Sequence, residues 1–419
     1  MRKLFLFAFM LGCNHSPALH LVSQPSHRLV ETPISVFAHV STNLTEQEVK
    51  EFLRIGSEVL QRVDSDQDVA TNLRLTLNGQ LQHFTEGKGE IANCSELEAI
   101  FKLPGDVHVV RTINCCKGIQ TPVLGCSRAG QGMILFSDVD HAWTRDAKGV
   151  LWAHEYGHKK GLLHRNEGGA IMAKVIAETH NSVTPCERDH YLGVSNLPCQ
   201  AIVASTVTPH LDVKTFVRQV FIEGIPYEEG ASYASSDLST LTSMLNDCAD
   251  KLYWPNIVNL LGMIGDIRAF KILKDFLESD SVAKCGPIPH FSYLGKEAVP
   301  VALGYILAKN NDPEILKYLG EGLNPRAWPT RLHWSDSSSQ AQLERNAHLT
   351  HMSILGLALS GQSGARELLV KLHATSSVRS MAVTEFEAGI EPLVDEALSI
   401  NAYVGTNGLA QYYRVNSMK

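Results

Sequence analysis

The stretch His154–Met172, HEYGHKKGLLHRNEGGAIM, contains three histidines, a glutamate beside the first, two glycine-bearing turns and a terminal methionine. On a helix, His154 and His158 are one turn apart and about 40° apart around the axis, so both imidazoles can reach one metal ion. Glu155 projects sideways, close to that ion but free to avoid coordinating it. A catalytic zinc takes about three protein ligands and keeps one open position. His164 would point elsewhere if the helix continued. Gly161 can adopt the left-handed conformation that ends a helix, after which Leu162 and Leu163 pack inward and His164 swings under the metal. Such a zinc brings water to a pKa of about 7 and polarises a carbonyl. Glu155 would then take the water's proton and deliver it to a leaving amine. No covalent intermediate is expected.

Several elements must hold these residues in place. Pro33 to Val40 reads as a strand. Thr45, with Gln47 and Glu48, opens a helix on which Val49, Phe52, Leu53, Ile55, Val59, Leu60 and Val63 recur at helical spacing. Leu73 to Phe84 alternates around Asn78-Gly79, a hairpin-turn signal. Val107 to Ile113 and Met133 to Phe136 are further strands. Thr184-Pro185-Cys186-Glu187 starts a closing helix running to about Leu192, with Thr184 as cap and Glu187 reaching back. The order strand, helix, strands, His-rich helix predicts an α+β domain with a mixed sheet over 33–200. Residues 201–215 read as a linker.

From 216 to 419 strand patterns fade and amphipathic helices dominate. Leu261-Gly262, Leu303-Gly304 and Leu355-Gly356 recur about 40–50 residues apart, each with a helix ending near it, then a short polar turn and a second amphipathic helix. This period resembles that of HEAT or armadillo units, with a plain helical bundle as the alternative. A HEAT-like solenoid would present a long surface to a protein partner.

The chain has 419 residues, 44% hydrophobic and 19% charged, which suits two globular domains. A net charge of −7 argues against nucleic-acid binding. Met1-Arg2-Lys3 and the apolar run Leu4 to Leu11 read as an export signal over 1–13, too short to span a bilayer. Cys13 sits where a lipoprotein signal places its lipidated cysteine, although Met10 and Leu11 fit such a signal poorly; an ordinary signal cut later is the alternative. The expected location is a bacterial cell envelope through a lipid anchor, or otherwise the periplasm or exterior. Residues 14–32 read as a tether. Setting Cys13 aside from nine cysteines leaves eight, an even number suited to disulfides. Nearness in sequence favours Cys186–Cys199 and Cys248–Cys285, and Cys115-Cys116 reads as part of the disulfide framework. His108, His141, His180, His190 and His290 lack ligand spacing and read as surface or core residues. Lys159-Lys160 reads as a solvated face.

The pattern HExxHxxGxxH followed by a methionine, carried by His154, Glu155, His158, Gly161, His164 and Met172, resembles the metzincin metalloproteases. The spacing from His164 to Met172 and the segment Gly130 to Thr144 are closest to the matrixin branch. The resemblance covers about 33–200. It implies one catalytic zinc, protein or peptide substrates, and Met172 as a hydrophobic floor beneath the metal and not a ligand. It also suggests calcium at Asp138 and Asp140, with a solvated loop as the alternative. An extended substrate would add to an edge strand at about Val123 to Arg128. Arg165 after His164 and Lys174 two residues after Met172 depart from several subfamilies. No cysteine-switch motif is present and 14–32 is short for a prodomain, so control of latency is left open. The function expected is zinc endopeptidase. Two alternatives stand: a catalytically silent zinc scaffold with a HEAT-like partner domain, and a hydrolase of cell-envelope amides such as peptidoglycan peptides.

Overall fold

The computed structural model describes residues 29–63, 68–116, 118–128, 134–137, 145–165, 169–176, 180–195, 199, 210–280, 284–285, 290–332, 339–379 and 390–417. The leader with Cys13, most of the 14–32 stretch, Asp138, Asp140, His141 and residues 201–209 lie outside them. The protein is mixed α and β, with small sheets toward the N-terminus and a helical C-terminal region.

The first elements are β1 (Val30–Ile34), β2 (Val36–His39), α1 (Glu46–Val59), β3 (Leu73–Leu77) and β4 (Gln82–Phe84). β1 begins within the stretch expected to be a tether. Thr45 and Glu48 form the capping box of α1. The helix ends at Val59, which leaves Val63 exposed, whereas Leu60 is buried. Gly79 does turn the chain at φ 73°, but no hairpin forms there. β3 pairs with β1 and β4 with β2, both parallel, in separate sheets. The reason is connectivity: α1 carries the chain back across, and a strand returning through a helix lies parallel to the strand it left.

Next come β5 (Glu90–Ile91), α2 (Cys94–Phe101), β6 (Val107–Val110), β7 (Thr112–Cys115), β8 (Ile119–Val123), β9 (Gly125–Ser127) and β10 (Ile134–Ser137). The run expected as one strand over 107–113 is two, because Arg111 leaves the ladder and donates its N–H to Gly89 O. The main sheet runs β4–β2–β6–β10–β9, parallel throughout except for β9, an antiparallel edge. β5, β7 and β8 form a second sheet. Then follow α3 (Arg145–Lys159), β11 (Val175–Ile176) and α4 (Pro185–Tyr191).

α1 and α3 cross closely. A Cβ at Gly149 would lie 2.5 Å from Ile55 Cβ, and one at Gly56 would lie 3.0 Å from Gly149 O. Among the described residues four disulfides brace the chain: Cys94–Cys115, Cys116–Cys126, Cys186–Cys199 and Cys248–Cys285. The vicinal cysteines thus bond to separate partners, and both pairings expected from nearness are formed.

Among the described residues the chain from 210 onward is helical, save for the short strand β12 (Val220–Phe221), which pairs antiparallel with β11. That strand departs from the all-α expectation for this region. Each helix bearing a Leu-Gly pair ends soon after its glycine and is followed by a short turn and a further helix, Ala269–Glu278, Pro313–Glu321 and Ser363–Arg379, as expected. Gly262, Gly304 and Gly356 lie inside the helices Trp254–Ile264, Val299–Asn310 and Ser339–Ser360. A Cβ on Gly262 would stand 2.6 Å from Ala302 Cα, and one on Gly304 would stand 2.2 Å from Gly356 O. The glycines recur because these helices touch backbone to backbone. No described helix is long and apolar enough to cross a membrane.

Gly304→Ala is expected to cost about 2 kcal/mol or more, since the opposing group is main chain and cannot swing aside. Urea unfolding of the variant against wild type reads this as a lower midpoint.

Candidate metal centre

The site begins with the apolar face of α3. Val150, Leu151, Trp152, Ala153 and Tyr156 are buried and pin the helix to the core, which fixes the direction of the residues between them. His154 and His158 are buried on the same face, and Glu155 is fully buried beside them. Gly161 has φ 88°, and Leu162 N–H reaches back to Gly157 O at 3.0 Å, closing the helix end. Leu162 packs into the core, but Leu163 is 71% exposed, contrary to the expectation that both turn inward. One leucine suffices to anchor the loop, and half-buried His164 then swings toward the other two histidines.

His154, His158 and His164 each offer a ring nitrogen within 4.8 Å of the others. His158 Nε2 and His164 Nε2 stand 3.1 Å apart. Two imidazoles on one tetrahedral zinc, with bonds of about 2.0–2.1 Å, place their nitrogens about 3.3 Å apart. His154 Nδ1 lies 2.7 Å from Ile171 O and His158 Nδ1 lies 2.7 Å from Leu162 O. A carbonyl only accepts, so each Nδ1 carries the hydrogen and each Nε2 presents a lone pair to the centre. The donor set therefore fits a divalent transition-metal ion. Two other groupings could be drawn, Cys186 with His190 and Cys199, and Cys94 with Cys115 and Glu396. Their cysteines are disulfide-bonded, which removes the thiolates a metal would need.

Glu155 is not one of the clustered donors. Its Oε2 accepts from Ser127 Oγ at 2.6 Å, and Ser127 is buried on edge strand β9. A Cβ at Gly125 would lie 2.2 Å from Glu155 Oε1, so only glycine leaves room for this carboxylate against β9. Met172 is buried, and a Cβ at Gly157 would meet its sulfur at 2.4 Å. Gly157 thus lets Met172 press against α3 between the turns bearing His154 and His158.

Two contributors escape a reading of the sequence. Tyr191, on closing helix α4, sets its hydroxyl 3.2 Å from Ala153 O and 3.3 Å from Met172 Sδ. Complete burial pushes its phenol well above the ordinary range, so it stays neutral. Arg165 binds Glu187 at 2.9 Å and Ser182 Oγ at 2.7 Å, while its N–H donates to Met172 O at 2.8 Å. It ties the methionine loop to the cap of α4, a role no spacing rule announces. His108, His180 and His190 are buried core residues. Lys159, expected in solvent, pairs with Asp106.

No protein-family model matches the chain, and no curated protein matches it.

One divalent ion per chain is expected by elemental analysis, lost from His154→Ala, His158→Ala and His164→Ala. At a hundredfold excess over its dissociation constant the ion should stabilise the fold by about 2.7 kcal/mol, removable with a chelator. Arg165→Ala should cost about 3–5 kcal/mol in urea unfolding, because it leaves Glu187 buried without its cation.

Proposed function

We propose that the chain is an exported zinc endopeptidase of metzincin type, with a catalytic domain over about 33–200 and a HEAT-like helical domain behind it. The observation that carries this reading is the convergence of His154, His158 and His164 with the Glu155 carboxylate held apart on β9. A mixed sheet with an antiparallel edge, a histidine-bearing helix and a capped closing helix support the catalytic assignment. Glycine-mediated stacking of successive helices supports a repeat-like second domain, whose surface would select substrates or a protein partner. Four disulfides support an oxidising compartment, and the leader with Cys13 supports a lipid anchor at the envelope as the only membrane contact.

His154, His158 and His164 would hold zinc, which supplies Lewis acidity for water activation and carbonyl polarisation. Glu155 accepts a proton from water on its carboxylate and returns it to the departing amine nitrogen. Ser127 Oγ donates to one carboxylate oxygen and the other lies against Gly125, so the carboxylate is held on β9. The backbone contacts to Ile171 and Leu162 keep both ring tautomers correct. Protein or peptide is the substrate class, met as an extended strand along β9.

Glu155→Gln should retain zinc and lower the hydrolysis of a broad peptide library by about 10²–10⁴-fold. If zinc-loaded wild type and Glu155→Gln yield the same products at the same rate, the chain is a zinc-binding scaffold and not a peptidase.

A further inference from the structure

The helical region reaches back into the N-terminal half at several places, among them Glu396, which accepts from Cys94 N–H, and a strand pairing near the metal centre. β12 pairs antiparallel with β11, Val175 opposite Phe221 and Ile176 opposite Val220. Ile222, the next residue, then uses both of its main-chain groups on the N-terminal half. Its N–H donates to Lys174 O at 3.2 Å, and its carbonyl accepts from Leu124 N–H at 2.7 Å. Ile222 is fully buried, in the same hydrophobic core as Leu124, Leu151, Met172 and Ile176, whereas Phe221 belongs to the core of the helical region.

Both anchor points border the metal centre. Leu124 precedes Gly125, the residue whose missing side chain makes room for the Glu155 carboxylate. Lys174 follows by two residues the methionine packed beneath the histidine helix. On the endopeptidase reading, the edge of β9 and the segment after Met172 are the two walls between which an extended peptide would lie. Main-chain donors and acceptors at such walls are the groups that bind a peptide strand. Here Leu124 N–H and Lys174 O are engaged by Ile222.

Resting on the endopeptidase reading, we propose that Val220–Ile222 is a built-in occupant of the substrate groove. It keeps the enzyme latent until the strand is displaced. The groove accepts extended peptides that place a branched aliphatic side chain where Ile222 now sits. A ligand for such a groove meets an apparent affinity reduced by the fraction of molecules in which the strand is out.

The test uses the zinc-loaded full chain, a leucine-bearing peptidyl hydroxamate, and acetohydroxamate, which needs no groove. In wild type, saturating peptidyl hydroxamate should expose the Ile222 and Leu124 amides to hydrogen exchange together, while acetohydroxamate leaves them protected. Ile222→Gly, which weakens the seat, and Ile222→Pro, which removes the donor to Lys174, should bind the peptidyl hydroxamate about tenfold tighter or more. Their affinity for acetohydroxamate should match wild type. The idea is overturned if peptidyl hydroxamate saturates wild type with the Ile222 amide still protected, a result that needs no variant to fold. Equal peptidyl hydroxamate affinity in wild type and a folded variant overturns it as well. Peptide hydrolysis no faster than in Glu155→Gln would sink the endopeptidase reading alone, since binding and exchange report on the groove without turnover.

Discussion

Three imidazole nitrogens are held near one point, two of them 3.1 Å apart. The surrounding architecture keeps them there. Backbone carbonyls of Ile171 and Leu162 grip the far side of two rings, so neither can rotate away without losing a buried hydrogen bond. The carbonyls are themselves fixed. Leu162 follows the left-handed Gly161, and Ile171 lies in the loop that Arg165 ties to α4. The centre is therefore preorganised.

Close approach is the means by which the fold delivers that grip. Gly56 and Gly149 let α1 lie on α3, Gly157 admits Met172, and Gly125 admits the Glu155 carboxylate. At each of these places a methyl group would collide with a neighbouring atom. The same device recurs in the C-terminal region at Gly262, Gly304 and Gly356, where it sets the spacing of a helical stack. Interiors packed this densely transmit displacement, so a shift in one helix reaches the next element.

Among the contacts between the two halves is the pairing of β11 with β12, with the residue after β12 bonded to Leu124 and Lys174. A helical region joined only by a linker could bind partners without affecting chemistry. One that places a strand against the methionine loop couples its own position to access at the site. Regulation of this kind needs no separate prodomain, which bears on a chain whose sequence shows no cysteine-switch motif.

Much of the centre is legible in the sequence because its geometry is local. The helical period sets His154 and His158 on one face, a glycine is needed where the helix stops, and Thr45 with Glu48 and Thr184 with Glu187 announce their caps. Nearby cysteines find each other for the same reason, as Cys186–Cys199 and Cys248–Cys285 do. What depends on distant segments is not legible. The Asn78-Gly79 turn has the sequence of a hairpin, yet pairing is decided by the crossover through α1. The Leu-Gly pairs announce the order helix, turn, helix, but that their glycines let another helix touch is decided only by the neighbour. Arg165, Tyr191, Ser127 and Ile222 gain their roles from partners 22, 38, 28 and 98 residues away, the last being Leu124 (222 − 124). Residue type and spacing specify which atoms can do chemistry; contacts between segments far apart in the chain decide where those atoms are held and what stands in front of them.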